Sequence, residues 1–370
     1  NNSQTELNLL GNLGSASYRQ AGDLYGIILL PETANGKEIE AARKLLIDRG
    51  ASDGTTSANL YRFWRSRNDI VEFKSVSVSG VNSMALAWRD CTSLTSFPAL
   101  DTSSVISFDN AWYNNSSLTS FPALDMSSGN NFTSAWRSCP SLTSFPAIDA
   151  RNGTNFTSAW QNSSALTSFP ALDMSSGASF TSAWNGCTAL TSFPAGAKLG
   201  TAANNVDFTS AWQSSGLTSL PALDLSNGVN FSRAFLSSDI SSIDPNVLLG
   251  TAASSASVDF TNIFNDCQNL TEVPVGLDLS KGKRFQQSFR HCASLVNFAP
   301  NIFDSIGTPL SYCFASTWQG TVALNATSVE NILVSIDTST QSAPATGPDI
   351  TISYNVATGA LSAATNTAIN

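Results

Sequence analysis

The tryptophans of this chain keep a fixed beat. Trp88, Trp112, Trp136, Trp160 and Trp184 stand 24 residues apart. The beat continues through Trp212, Phe235, Phe264, Phe289 and Trp318 at looser spacings of 23 to 29 residues. The unit that recurs is best seen from Leu118 to Cys139, LTSFPALDMSSGNNFTSAWRSC, and the same frame opens at Leu94, Leu142, Leu166, Leu190 and, with substitutions, Leu217. A period in the twenties marks a solenoid, in which one repeat cannot bury its apolar side until the next stacks on it.

Each position of the unit suggests a role. Leu118, Phe121 and Leu124 alternate with Thr and Ser, as in a short strand, and Pro122 sits near the strand end, where a missing N–H is tolerated. Asp125–Gly129, DMSSG, is turn chemistry. Phe132, Ala135 and Trp136 follow helical spacing, which predicts one or two helical turns carrying the aromatic inward. The predicted fold class is an α/β repeat solenoid, leucine-rich-repeat-like, with about ten coils of 23–29 residues, each a short strand, turn and short helix, and non-repeat caps at both ends.

The predicted domain plan has four parts. Residues 1–58 form an N-terminal strand-helix segment, with a strand at Leu24–Leu30 and an amphipathic helix at Gly36–Gly50, too little for a core of its own and so the tail of a larger domain or a small lid. Residues 59–83 form an aromatic, arginine-bearing cap, residues 84–320 the solenoid, and residues 321–370 a C-terminal cap. In that last part Thr327–Glu330 reads as a capping box ahead of a closing helix, and Asp349–Tyr354 as a strand. Two insertions, Gly196–Val206 and Pro245–Val258, share LGTAA text and are expected to bulge from one face, where solenoids often bind. The chain starts at Asn1 with no leader ahead of it, which suggests processing or a longer polypeptide.

Composition excludes several classes. The net charge is −9 with 12% charged residues, a poor match to nucleic acid, where Lys and Arg supply the affinity. No apolar run reaches the roughly 18 residues of a membrane span. Of six cysteines, Cys91, Cys139, Cys187, Cys267 and Cys292 each fall three residues after the aromatic anchor, a slot that Asn115, Ser163, Ser215 and Ser238 also fill. That pattern predicts small inward residues and free buried thiols, with Cys267 and Cys292, in adjacent coils, the one pair placed to bridge. No CxxC supports zinc, and no cofactor is expected.

The frame LTSFPALDTSSVISFDNAW resembles the BspA-type leucine-rich repeats. It is more closely similar to related surface-protein repeats of about 25 residues, which carry DTSxV and an aromatic before a CxxL step. Asp101–Val105 matches the first motif, and Cys91, Leu94 and Leu118 match the CxxL frame. Trp stands where that family usually has Phe, and Phe-Pro where it has Leu or Ile. The SFPALDxSSG variety with its closing SVENILVSID segment looks like the repeat tracts of large marine phage tail-fibre-like proteins. The resemblance covers roughly 60 to 70% of the chain. It implies an extracellular or virion-surface setting and carries over no catalytic residue.

The remaining chemistry is sparse. His291 beside Cys292 is a weak Cys–His pairing, because adjacent residues on a helix point about 100° apart. The ladder Asp101, Asp125, Asp149, Asp173 and Asp224 could hold calcium, but turn capping explains it more simply. Thr95, Thr119, Thr143, Thr167, Thr191 and Thr218 form an outward ladder, explained by β-propensity more simply than by ice binding. Arg62, Arg65 and Arg67 in the cap could read a phosphate or sialate, or pair with Asp69 and Glu72. These arginines, with Lys198, Asn204 and Asn205 in the first insertion, are the candidate partner contacts. The expected role is a non-enzymatic virion fibre or appendage protein, a stalk that also recognises a host-surface glycan or protein, next to other virion or surface proteins and as a possible homotrimer. The alternative is a bacterial cell-surface adhesin built from the same repeats.

Overall fold

The computed structural model describes residues 58–73, 78, 80–253, 257–306 and 312–339. The strand and helix expected within residues 24–50 and the strand expected at residues 349–354 lie outside the described residues. The described residues wind as a parallel β-solenoid with little helix. Its strands are two or three residues long, and each pairs in parallel with its equivalent one coil away. One ladder runs unbroken through Asn59, Ser83, Ser107, Asn131, Asn155, Ser179, Asp207, Asn230, Asp259 and Arg284. A second passes through the Thr-Ser positions, with Glu72 paired to Ser96, Ser144 to Ser168, and Ser219–Leu220 to Ser242–Ile243.

The short helix expected in each coil is absent from the described coils, and a ribbon of consecutive β-turns takes its place. The Ala135 N–H donates to Phe132 O at 3.1 Å and the Arg137 N–H to Ser134 O at 3.2 Å, the i+3 bonds of turns. The intervening N–H groups of Phe132, Ser134, Trp136 and Ser138 leave the coil. They donate to the carbonyls of Asn155, Thr157, Ala159 and Gln161 at 2.7–2.8 Å. Ser134 and Ser138 have φ of 51° and 59°, and Asn110/Asn114 and Ser158/Asn162 repeat the pair in neighbouring coils. A helix of one or two turns is marginal alone and would keep its N–H groups to itself. The turn ribbon instead directs half of them at the next coil, which is what a stack requires. The spacing of Phe132, Ala135 and Trp136 suits either form. The small polar residues at the left-handed positions are the signal that separates them.

Inside the coil lie three columns of rings. Trp136 stacks on Trp160 at 5.4 Å and 7°, within a column running from Trp64 through Trp212 to Phe235, Phe264 and Phe289. Phe132 stacks on Phe156 at 5.1 Å in a second column, and Phe121 on Phe145 at 6.0 Å in a third. The first and third columns meet edge to face, as Trp136 and Phe145 do at 4.7 Å and 74°. Such pairs contribute about 0.5–1.5 kcal/mol each beyond the area they bury. The glycine of the DMSSG turn follows from the second column. A Cβ on Gly129 would lie 2.6 Å from Cζ of Phe132 and 2.9 Å from Cε2 of Phe108, so no larger residue fits beneath those rings.

Residues 59–73 carry the same features. Arg62, Trp64 and Ser66 donate their N–H groups to Ala85, Ala87 and Arg89, and Trp64 stacks on Trp88 at 4.7 Å. At the other end the helix Ala326–Ser339 lays Val329, Ile332 and Ile336 on the stack. Its polar side chains continue the bonding pattern. Phe298 N–H donates to Ser328 Oγ at 2.8 Å, Phe303 N–H to Ser335 Oγ at 2.8 Å, and Asn331 Nδ2 to Phe298 O at 2.7 Å. The helix starts earlier than its expected capping box. Asn325 Oδ1 accepts the Ser328 N–H at 2.8 Å, the bond an N-cap makes, and Thr327–Glu330 lies inside the helix. No helix among the described residues is long and apolar enough to cross a membrane.

The indole Nε1 atoms of Trp88, Trp112, Trp136, Trp160, Trp184, Trp212 and Trp318 are buried without a hydrogen-bond partner. An orphaned donor of this kind costs about 1–3 kcal/mol. Phe235, Phe264 and Phe289 occupy the same column without that cost. Trp160→Phe should therefore be nearly neutral, within about 1 kcal/mol, whereas Trp160→Ala should cost about 3–5 kcal/mol. Urea unfolding of the two variants checks this. A Trp160→Phe cost as large as that of the alanine variant would show that the indole makes a bond the fold depends on.

Candidate functional site

The cap arginines do not converge. Arg67 donates through Nε and Nη2 to the two Asp69 oxygens at 2.7 and 2.5 Å, the carboxylate pairing expected of the cap surface. That guanidinium holds the Asp69 carboxyl below its ordinary range. Arg62 lies 4.9 Å over the ring of Tyr61. Arg65 Nε lies 3.8 Å from Asp90 Oδ2, in the next coil.

The described residues of the insertions lie along the coils rather than bulging from them. Lys198–Leu199 pairs in parallel with Asp173–Met174, and Leu248–Leu249 with Asp224–Leu225. Leu199 and Leu249 are buried, and Gly200 and Gly250 turn the chain at φ of 67° and 70°. The apolar residues of the LGTAA text pull each insertion onto the edge of the core. Lys198 Nζ meets Asp173 Oδ2 at 3.0 Å, while Asn204 and Asn205 are exposed where the first insertion ends. The Lys198–Asn205 group and the cap arginines sit on different coils and form no common site.

The repeated polar positions resolve into support for the backbone. Asp125 Oδ1 accepts the N–H of Ser127 at 3.0 Å, and Asp101, Asp173 and Asp224 bond likewise to Ser103, Ser175 and Ser226. Each is a turn cap, and the serine hydroxyls hold the Asp101 and Asp125 carboxyls below their ordinary range. The Thr119 hydroxyl donates to Thr95 O at 3.1 Å and the Thr167 hydroxyl to Thr143 O at 3.1 Å, so these hydroxyl protons serve the neighbouring coil.

The Cys, Ser or Asn slot has a specific task. Cys139 Sγ reaches Trp112 O at 3.3 Å, Cys187 Sγ reaches Trp160 O at 3.2 Å, and Ser163 Oγ donates to Trp136 O at 3.0 Å. These three bond the anchor carbonyl of the preceding coil, whereas Ser238 Oγ donates to Phe235 O of its own coil at 2.7 Å and Asn115 Oδ1 accepts the Cys91 N–H at 3.0 Å. All six cysteines are free, including Cys267 and Cys292, whose thiols reach Phe235 O and Phe264 O at 3.1 Å instead of each other. His291 is exposed on the turn ribbon while Cys292 is buried, so the two face opposite sides of the backbone.

One group, Arg65 apart, escaped the reading of the sequence. The residue after each anchor tryptophan forms an outward column: Arg65, Arg89, Tyr113, Arg137, then Gln161, Asn185 and Gln213. The Arg89 guanidinium lies 4.4 Å over the Tyr113 ring and that of Arg137 5.6 Å. The signal was the same 24-residue spacing that revealed the tryptophans, one residue later. At the C-terminal end, open hollows of about 270 and 220 Å³ flank the exposed Val275. Two of the amides lining the second are bonded within the protein: Asn325 Nδ2 donates to Asn297 Oδ1 at 3.0 Å and Asn331 Nδ2 to Phe298 O.

Burial pushes the thiols of Cys139, Cys187 and Cys267 up from an ordinary 9.0 to about 12. The folded chain therefore keeps protons that the unfolded chain releases above pH 9, and stability should fall as pH rises from 9 towards 12. A Cys139→Ser/Cys187→Ser variant should show a shallower fall in thermal melts over that window, because serine keeps the bond to the anchor carbonyl, as Ser163 does. An unchanged slope would remove the thiols as its source.

No family model matches the chain, and no curated protein matches it. Two solved structures are similar in part. One is a leucine-rich repeat protein from Bacteroides ovatus ATCC 8483, 16% identical, with 69% of this chain and 73% of that chain covered and a TM-score of 0.30. The other is a leucine rich cell surface protein from Faecalibacterium prausnitzii A2-165, 14% identical, with 63% and 78% covered and a TM-score of 0.31.

Proposed function

We propose that this chain is a non-enzymatic part of a virion fibre or similar appendage, a structural stalk that also recognises a host-surface glycan or protein. In this reading the protein works outside the cell, and about ten coils in residues 84–320 form the stalk between two capping regions. The observation that carries it is the unbroken parallel ladder from Asn59 to Arg284 with stacked rings beneath it. A core bonded the same way at every step resists bending and displays outward columns at fixed intervals, which suits a stalk. A homotrimer with other virion proteins at its ends is the assembly such a fibre would use. The second reading, a bacterial cell-surface adhesin, rests on the similarity of Asp101–Val105 and the CxxL frame to surface-protein repeats.

Fluorescently labelled protein should label host cells saturably, and absence of labelling would reduce the role to a structural one. Immunogold with an antibody to the chain separates the two settings. Gold on virion appendages supports the fibre, and gold on bacterial envelopes supports the adhesin.

A further inference from the structure

We propose that the outward column at Arg65, Arg89, Tyr113 and Arg137 is a binding strip for an anionic oligosaccharide, one bearing carboxylate or sulfate groups on a hydroxyl-rich chain. The inference rests on the recognition role proposed above and names the ligand class and the place.

The backbone fixes the column. Ser66 N–H donates to Arg89 O at 2.7 Å, Asp90 N–H to Tyr113 O at 2.8 Å, and Asn114 N–H to Arg137 O at 2.8 Å. These four residues therefore stand at equivalent points on successive coils. The Tyr113 ring lies between two guanidinium groups, at 4.4 and 5.6 Å, so the arginines are held by stacking rather than free to sweep solvent. Fixed, planar guanidinium groups match carboxylate and sulfate oxygens two at a time.

The charges on this face do not cancel. Asp90 alone takes Arg89 at 3.2 Å and Arg65 at 3.8 Å, and it also accepts from Asn114 Nδ2 at 3.0 Å. Asp109 accepts from Asn110 Nδ2. Among the described residues Arg137 has no ion pair, and it is half-buried with its Nε covered by the protein. A half-buried guanidinium with no carboxylate partner, beside a stacked tyrosine, leaves its terminal Nη donors for an incoming oxygen.

The chain carries a net charge of −9, so its overall field repels polyanions. Attraction must be local, from a few guanidinium groups. Beyond Arg137 the column continues as Gln161, Asn185 and Gln213, side chains that both donate and accept. That sequence suits a ligand with a few anionic groups followed by hydroxyls. It does not suit a nucleic acid, whose phosphates would demand cations along the whole column.

The test uses the full chain with four probes: oligogalacturonate for carboxylate, heparin oligosaccharide for sulfate, dextran as the neutral glycan, and single-stranded oligonucleotide. Calorimetry should show binding to at least one anionic glycan and not to dextran, weakening as salt rises from about 0.05 to 0.5 M. Arg137→Gln, which orphans no carboxylate, should weaken binding about tenfold, and Arg89→Gln/Arg137→Gln should abolish it with an unchanged melting temperature. Lys281→Gln, on an exposed residue outside the strip, should bind as wild type. Equal loss in Lys281→Gln, no loss in Arg137→Gln, tighter binding of the oligonucleotide, or binding of neither anionic glycan would each overturn the proposal. Cell labelling separates it from the broader role. Labelling that survives in the double variant would sink the strip and leave recognition standing, and glycan binding without any cell labelling would do the reverse.

Discussion

Every second N–H in the turn ribbon is donated across to the next coil, and the rest of the structure depends on that alternation. It sets the separation between coils at the spacing of neighbouring strands, about 4.8 Å along the bonding direction. Aromatic rings of successive coils then fall at offset stacking distance, as Trp136 and Trp160 do at 5.4 Å. The same geometry leaves the anchor carbonyl within reach of a small donor from the following coil, which is why Cys, Ser or Thr serves there. Cys91 reaches Trp64 O and Thr321 reaches Phe289 O in this way. Hydrogen bonding, ring packing and the choice of small residues are thus consequences of one backbone pattern.

Much of this was legible in the sequence because a repeat exposes its own rules. The inward Trp and Cys positions and the turn-capping aspartates follow from columns of equivalent residues, and the structure places Trp136, Cys139 and Asp125 accordingly. What escaped was local. A spacing of three and four residues is shared by a helix and by a run of turns, and the deciding feature, Ser or Asn at φ above zero, is a backbone property that side-chain periodicity does not report. The insertions were expected to bulge from one face because they lengthen the repeat, whereas the leucine that each buries, Leu199 and Leu249, holds it to the stack. The helix begins at its Asn325 cap because that amide sits at the coil edge, ahead of a capping box with better sequence credentials.

The candidate site was the least legible part. The reading of residue types favoured Arg62, Arg65 and Arg67; Arg62 and Arg67 are engaged by Tyr61 and Asp69 within their own coil, and Arg65 alone of the three stands on the outward column. The column through Arg89, Tyr113 and Arg137 lies one residue after the tryptophan beat, but its members, far apart along the chain, become one surface only when the coils stack. In a solenoid the core repeats and the outer columns are free to vary, so chemistry concentrates where an outer column departs from its neighbours.

The register of the ladder carries a different consequence. Each coil bonds only to equivalent atoms in the coils beside it, so excising a whole coil, or copying one, joins edges that already match. A coil of another length must take up the difference outside the ladder, as the 23-residue step from Trp212 to Phe235 and the 28-residue step from Trp184 to Trp212 do while the anchors stay stacked. The length of this rod is therefore something inheritance can revise in whole units without inventing any new contact, while the inner aromatic column is held fixed.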